Sequence, residues 1–187
     1  MDFQQGLITT IHEYGVTQDL LIELNESLKK RSTAILIPCL YEEFERPALR
    51  DIKEVLKNLT ELNELVIALS AKTIDQVKAA KSFFDSMPFP VHVQWTNSPS
   101  VIELLKSQEK NGLELLGTPG KGWAVWQGIG VATRKSDVVA LFDADIRTFS
   151  PLYPSRMILP LLDESYGISY VKAFYSCLLY TSPSPRD

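Results

Sequence analysis

The sequence predicts an α/β domain in which a mostly parallel β-sheet is flanked by helices. Two observations carry this. Short apolar runs bounded by turn residues alternate with stretches whose apolar residues recur every three or four positions. Strands that alternate with helices pair in parallel, because each helix returns the chain to the same end of the sheet. The chain has 187 residues, of which 45% are hydrophobic and 22% charged. That composition suits a packed core and argues against disorder.

The elements follow in order. Leu20, Leu21, Leu24 and Leu28 stand at helical spacing within 17–31, with Thr17 or Asp19 as caps. Residues 33–37 read as a buried strand, which Pro38 is expected to halt. A helix over 47–59 places Leu49, Ile52, Val55, Leu56 and Leu59 on one face, and Pro47 suits its first turn. Residues 65–69 form the second strand. The next helix, 73–85, buries Ile74, Val77, Ala80 and Phe84, and 91–95 gives an alternating strand. Further helices are expected over 100–110 and over 121–135, the latter offering Trp123, Trp126, Ile129 and Gly130 for packing. A continuous apolar strand at 138–142 and a final strand at 168–174 complete the pattern. No internal repeat is present.

Composition narrows the function. A formal net charge of −4 argues against nucleic acid as a partner, since binding to a phosphate backbone depends on clustered Lys and Arg. No apolar run approaches the roughly 20 residues that span a bilayer; the best is the short Val138-Val139-Ala140-Leu141-Phe142. The first five residues lack the basic flank and apolar stretch of a secretory signal. Two cysteines make no disulfide framework, and the expected compartment is reducing cytoplasm.

The tail reads differently from the rest. Cys177-Leu178-Leu179-Tyr180-Thr181-Ser182-Pro183-Ser184-Pro185-Arg186-Asp187 corresponds in order to one translated frame of a common transposase sequencing adapter. The competing reading is a natural Ser/Pro-rich linker. On the adapter reading the natural sequence is expected to end near Tyr175, Ser176 is suspect, and Cys39 is the one native cysteine. The expected division is an amino-terminal extension and helix at 1–31, an incomplete binding domain at 32–176 and a non-native tail at 177–187.

Ligands of parallel sheets sit beyond the carboxyl ends of the strands, which here means after Ile37, after Leu69 and after Phe142. The sharpest of these sites is Phe142-Asp143-Ala144-Asp145. An apolar strand there delivers two carboxylates one residue apart, hard oxygen donors suited to a divalent cation that completes its shell with phosphate and water. Aspartates in a turn or cap are the competing reading. A second feature, Gly117-Thr118-Pro119-Gly120-Lys121-Gly122, opens a helix whose amino end and Lys121 favour an anion. It is no P-loop, because Gly122 stands where a magnesium-binding hydroxyl is needed. Gly128 and Gly130 lie inside the helix, so a dinucleotide fingerprint is poorly supported. The third feature, Pro38-Cys39-Leu40-Tyr41-Glu42-Glu43, offers a carboxylate to a base or ribose, although Glu43 and Glu45 also suit a helix amino end. His12 and His92 have no partners at metal-ligand spacing, and Cys39 has no base nearby in sequence. A Gly-x-Ser-x-Gly elbow is absent. Lys172 can approach the crevice or serve as an ordinary strand lysine.

Taken together, Pro38-x-x-Tyr41-Glu42-Glu43, Gly120-Lys121-Gly122-Trp123-Ala124-Val125-Trp126 and Asp143-Ala144-Asp145 resemble nucleotide-sugar glycosyltransferases of the GT-A (Rossmann-like) fold. Order and spacing are closest to the retaining glucosyl-3-phosphoglycerate synthases, and residues 153–162 and 170–175 continue the match. The resemblance implies transfer of a hexose, glucose in that family, from a nucleotide diphosphate sugar to the 2-hydroxyl of 3-phosphoglycerate, with Mg²⁺ or Mn²⁺. It implies a nucleotide pocket of Pro38, Cys39, Leu40, Tyr41, Glu42 and Ser70, with Lys121 beside the diphosphate or sugar and Asp143 and Asp145 serving sugar and metal, Asp145 being the metal ligand. Tyr41 stands where relatives often carry Asn. The family's metal-binding His and acceptor-phosphate loop belong farther downstream, so the fragment by itself is expected to be inactive. A cytoplasmic enzyme, homodimeric when complete, is the corresponding expectation. Two alternatives stay open: a polyprenyl-phosphate hexosyltransferase or other GT-A enzyme, and a non-catalytic nucleotide-sugar-binding module.

Overall fold

Four runs rich in aliphatic residues pair side by side: β1 (Thr33–Leu40), β2 (Glu64–Ser70), β3 (Val91–Trp95) and β4 (Val138–Leu141). The computed structural model describes residues 20–109 and 120–173. Within them the strand order is β3-β2-β1-β4 and every pairing is parallel, with Ile35 opposite both Leu65 and Ala140. Near-continuous apolar strands are what a sheet covered on both faces requires.

Period-two alternation assigns the faces. Ile35, Ile37 and Cys39 of β1, with Leu65, Ile67 and Leu69 of β2, are buried in the larger core cluster. Helices α1 (Leu20–Leu28), α2 (Pro47–Leu56), α3 (Ile74–Phe83) and α6 (Leu152–Leu162) contribute to that cluster. The apolar stripes supply Leu20, Leu24 and Leu28 from α1 and Leu49, Ile52 and Leu56 from α2. Each such leucine or isoleucine contributes about 1.5–3 kcal/mol through burial. Ala34, Leu36, Val66 and Ala68 point the other way, onto α5 (Lys121–Ala132). Helix α4 (Pro99–Glu109) and α5 together connect β3 to β4. A topological switch point thus lies between β1 and β4, because the chain leaves β1 for β2 on one side and returns to β4 on the other.

Several elements depart from expectation. β1 runs through Pro38 rather than halting at it. The Leu36 carbonyl accepts the last β4-side bond, from Phe142 N–H at 3.0 Å, and Pro38 is the next residue facing that way. The ladder demands no N–H there, so a proline is tolerated. The packing face of α5 is Ala124, Gly128 and Ala132, whereas Trp126 and Ile129 are 51% and 43% exposed and Gly130 faces open space. Small residues win because α5 lies directly on the sheet. Ile74 is likewise exposed, at the first turn of α3. Over 168–173 the expected final strand finds no ladder partner among the described residues, and a stretch without backbone partners is not a strand. Conversely, α6 forms with Pro154 in its first turn, where its missing N–H has no intrahelical partner to lose, and with Pro160 inside the helix, where one i→i−4 bond is forgone. The capping residues Thr17 and Asp19, His12, Gly117, Thr118, Pro119, residues 174–176 and the 177–187 tail lie outside the described residues. Among the described residues no helix is long and apolar enough to cross a membrane.

Candidate functional site

The carboxyl ends of all four strands and the amino end of α5 surround one cavity of about 620 Å³. That volume lies within the usual range for small-molecule sites. Its walls carry Pro38, Cys39 and Leu40 from β1, Ser70 from β2, and Asp143 and Asp145 beyond β4. Gly120 and Lys121 open α5 on the same cavity. Of the nine residues that the resemblance assigns to the site, seven are therefore brought together: Pro38, Cys39, Leu40, Ser70, Lys121, Asp143 and Asp145.

The Asp-Ala-Asp segment owes its shape to the end of the ladder. Phe142 makes the last bond to β1 and stacks edge-on against Phe149, with ring centroids 5.4 Å apart. Ala144 is buried between two aspartates that are not. The backbone is thus anchored at alternate positions while both carboxylates stay available. Lys121 Nζ reaches Asp143 Oδ1 at 2.5 Å, across the cavity from α5 to β4. Both side chains are about half exposed, so this pair contributes little to stability, and its value lies in placing one positive and two negative groups at a single crevice.

Past β1 a 3₁₀ turn, Tyr41–Glu45, separates the neighbouring glutamates. Glu43 lines the cavity and pairs with Arg46 Nη1 at 2.9 Å. Its Oε2 is buried with no hydrogen-bond partner among the described residues. Glu42 lies outside the lining, with Lys72 Nζ at 3.2 Å from its Oε1. Its own backbone N–H, and then Lys72, hold the Glu42 carboxyl below the usual carboxylate range. Tyr41 also lies off the lining and stacks on Phe44 at 5.6 Å. The turn geometry causes this: successive residues of a 3₁₀ helix point about a third of a turn apart, so adjacent glutamates cannot share a direction. The Cys39 thiol is pushed up to about 12, first by burial and then by the negative charges of Glu43 and Glu42. A thiol held protonated in this way is no nucleophile. His92 is exposed on β3, away from any ligand cluster.

The cavity also contains Thr96, Asn97, Ile102 and Trp123. Trp123 was expected only as a packing residue of its helix, and Thr96 and Asn97 escape the sequence reading because the strand-end rule names the ends after Ile37, Leu69 and Phe142 but not after Trp95. Applied to β3, the same rule finds Thr96 and Asn97 directly.

Asp143 and Asp145 are hard oxygen donors, and among the described residues no group of three His, Cys, Asp or Glu side chains converges. The described residues thus offer at most part of a coordination shell. That fits Mg²⁺ or Mn²⁺, which keep positions for phosphate oxygens and water, and it does not fit a closed structural zinc site. Because Lys121 engages Asp143, Asp145 is the freer carboxylate.

No family model matches the chain. It is similar to the glucosyl-3-phosphoglycerate synthase of Methanococcoides burtonii, 34% identical over 177 residues that make up 94% of this chain and 44% of the relative. The synthase of Persephonella marina is 31% identical over 178 residues, 93% of this chain and 44% of the relative. The chain thus spans under half the length of these curated relatives. A crystal structure of the Mycobacterium tuberculosis glucosyl-3-phosphoglycerate synthase superposes with a TM-score of 0.56 at 27% identity, covering 89% of this chain and 53% of that one. The same enzyme in complex with Mn²⁺, UDP and glucosyl-3-phosphoglycerate gives a TM-score of 0.52 at 24% identity, covering 84% of this chain and 48% of that one. The fold is the parallel, helix-flanked GT-A fold of those structures.

Proposed function

We propose that the chain supplies the donor-binding portion of a retaining glucosyl-3-phosphoglycerate synthase, one that moves glucose from a nucleotide diphosphate sugar to the 2-hydroxyl of 3-phosphoglycerate. The observation that carries this reading is the convergence of Lys121, Asp143 and Asp145 on one strand-end cavity at the switch point of the sheet. Similarity to synthases along 94% and 93% of the chain supports the substrate pair. The reducing cytoplasm is the compartment this reading expects, and a homodimer is its expected complete assembly.

In this reading Pro38, Cys39 and Leu40 form the apolar wall against the nucleoside, and Ser70 adds a hydroxyl at the next strand end. Glu43, rather than Glu42, is the glutamate on the cavity wall. Cleavage of the anomeric bond leaves negative charge on the departing diphosphate. Lys121, at the amino end of α5, is placed to oppose that charge as it develops, where a fixed cation stabilises the transition state more than the ground state. Asp143 holds Lys121 in position and is placed to accept a hydrogen bond from a sugar hydroxyl. Asp145, with Asp143, would hold Mg²⁺ or Mn²⁺, which when bound supplies Lewis-acid neutralisation of the diphosphate.

Calorimetry of a nucleoside diphosphate with and without Mn²⁺ tests the site. Asp145→Ala is expected to abolish the metal-dependent part of binding while circular dichroism stays unchanged. Binding that survives this substitution intact overturns the metal assignment. With a full-length protein, product analysis using 3-phosphoglycerate against polyprenyl phosphate as acceptor tests the substrate: glucosylated lipid in place of glucosyl-3-phosphoglycerate would sink the acceptor assignment.

A further inference from the structure

We infer that Asn97 reads the donor's base, by donating a hydrogen bond from its side-chain amide to a carbonyl on the base edge; the inference rests on the nucleotide-sugar reading above. The argument begins with how firmly the turn after β3 is held. Thr96 N–H and Thr96 Oγ1 both donate to the Leu69 carbonyl, at 2.9 and 3.0 Å. The Thr96 carbonyl in turn accepts from Trp123 Nε1 at 3.3 Å and Gln127 Nε2 at 3.0 Å, which ties the turn to α5. The Ala71 peptide beside it is gripped as well. Its N–H donates to Asn97 Oδ1 at 3.0 Å, and its carbonyl accepts from Trp95 Nε1 at 2.9 Å.

The bond from Ala71 decides which way the Asn97 amide faces. A backbone N–H needs an acceptor, so Oδ1 must occupy that position and Nδ2 the other. Nδ2 carries two donor hydrogens and has no partner among the described residues. Asn97 is half-buried in the cavity wall, so the free donors belong to the cavity. The amide is pre-oriented by a bond that asks nothing of the ligand.

Its place in the sheet says which part of a ligand it meets. The charged groups, Lys121, Asp143 and Asp145, stand at β4 and the start of α5. Asn97 follows β3, at the opposite end of the order β3-β2-β1-β4. Three strand spacings of about 4.8 Å separate those ends, roughly 14 Å in all. The cavity therefore has a charged end and a neutral end whose polar groups are Ser70, Thr96 and Asn97. A nucleoside diphosphate has the same asymmetry: phosphates at one end and an uncharged heterocycle at the other. With the phosphates at Lys121, the base lies toward Asn97. A donor pair there matches a base carbonyl and opposes an exocyclic amine, and a buried polar group left unpaired is an effective discriminator.

The test is a ratio of affinities, measured by calorimetry on the 187-residue chain with Mn²⁺, for UDP against CDP and for IDP against ADP. Each pair differs by a carbonyl in place of an exocyclic amine, with the proton on the adjacent ring nitrogen following the carbonyl. In the pair that binds more tightly, the carbonyl member should lead by about 5- to 10-fold, the worth of one neutral hydrogen bond. Asn97→Ala should bring that ratio close to one. Asn97→Asp keeps an oxygen for the Ala71 N–H, replaces the donors by an acceptor, and should reverse the ratio in favour of the amine. Equal affinities in the unaltered protein, or ratios that neither substitution moves, overturn the role of Asn97 while leaving the nucleotide reading in place. Failure of every nucleotide to bind overturns that reading, and the inference with it.

Discussion

Alanine usually improves a helix when it replaces an interior glycine, by about 1 kcal/mol. At Gly128 of α5 it should do the opposite. A Cβ at Gly128 would stand 2.3 Å from Leu36 Cδ1, 3.1 Å from Leu36 Cδ2 and 3.2 Å from Ala68 Cβ. Carbon atoms prefer separations of about 3.5–4.0 Å, so the nearest contact is short by about 1 Å. Leu36 and Ala68 are both fully buried, which denies Leu36 an escape to solvent. Overpacking of this kind costs about 1–3 kcal/mol, and a contact so short belongs in the upper part of that range. Subtracting the propensity gain leaves a net loss of about 1–2 kcal/mol for Gly128→Ala. Gly130, two residues on and facing open space, is the internal control: Gly130→Ala should stabilise by about 0.5–1 kcal/mol. Urea denaturation followed by circular dichroism measures both. Leu36→Ala should by itself cost about 2–5 kcal/mol, but it vacates the space that the new methyl needs. The double variant should therefore be less destabilised than the sum of its parts, by at least about 1 kcal/mol. A neutral or stabilising Gly128→Ala, or strict additivity with Leu36→Ala, would refute the close-packing argument.

Two further outcomes are expected. Lys121→Ala should weaken nucleoside diphosphate binding by about tenfold or more, the scale of a charge-assisted contact, while shifting the urea midpoint little, since its ion pair with Asp143 is solvent-exposed; calorimetry and denaturation in parallel check it, and loss of stability without loss of binding would contradict it. Cys39, raised from its ordinary value of 9.0 to about 12, remains protonated in the folded chain when the unfolded thiol has begun to ionise. The unfolded state then holds fewer protons, so the stabilisation from this group is fully present below pH 9 and declines as pH rises from there toward 12. Denaturation of the native chain and of Cys39→Ser across that window should show the decline only where the thiol is present. Equal slopes would mean that burial does not govern the Cys39 thiol.

Much of the site was legible because it depends on local rules. An apolar strand that ends in Asp143-Ala144-Asp145 and a glycine-rich helix start that delivers Lys121 are features of contiguous residues, and parallel topology predicts that strand ends meet. Glu42 against Glu43 was not legible in this way. Either glutamate satisfies the sequence pattern, and the 3₁₀ turn after β1 is what rotates Glu43 into the cavity and leaves Glu42 with Lys72. The packing face of α5 misled for a related reason. Hydrophobicity singled out Trp126 and Ile129, but the distance between helix and sheet selected Ala124, Gly128 and Ala132. Ile168 to Ala173 shows the same limit in a strand, since alternation implies an extended chain but only a neighbouring strand makes a ladder.

By itself, then, the sequence determined the alternation of strands and helices, the aliphatic core, and the identity of the charged groups, because periodicity and side-chain chemistry are properties of neighbouring residues. Tertiary structure alone decided which strand ends adjoin, that Lys121 reaches Asp143 across 2.5 Å, and that Asn97 faces the cavity with its donors free. Those outcomes depend on distances between residues 22 and 26 positions apart in the chain, and such distances exist only once the sheet has assembled.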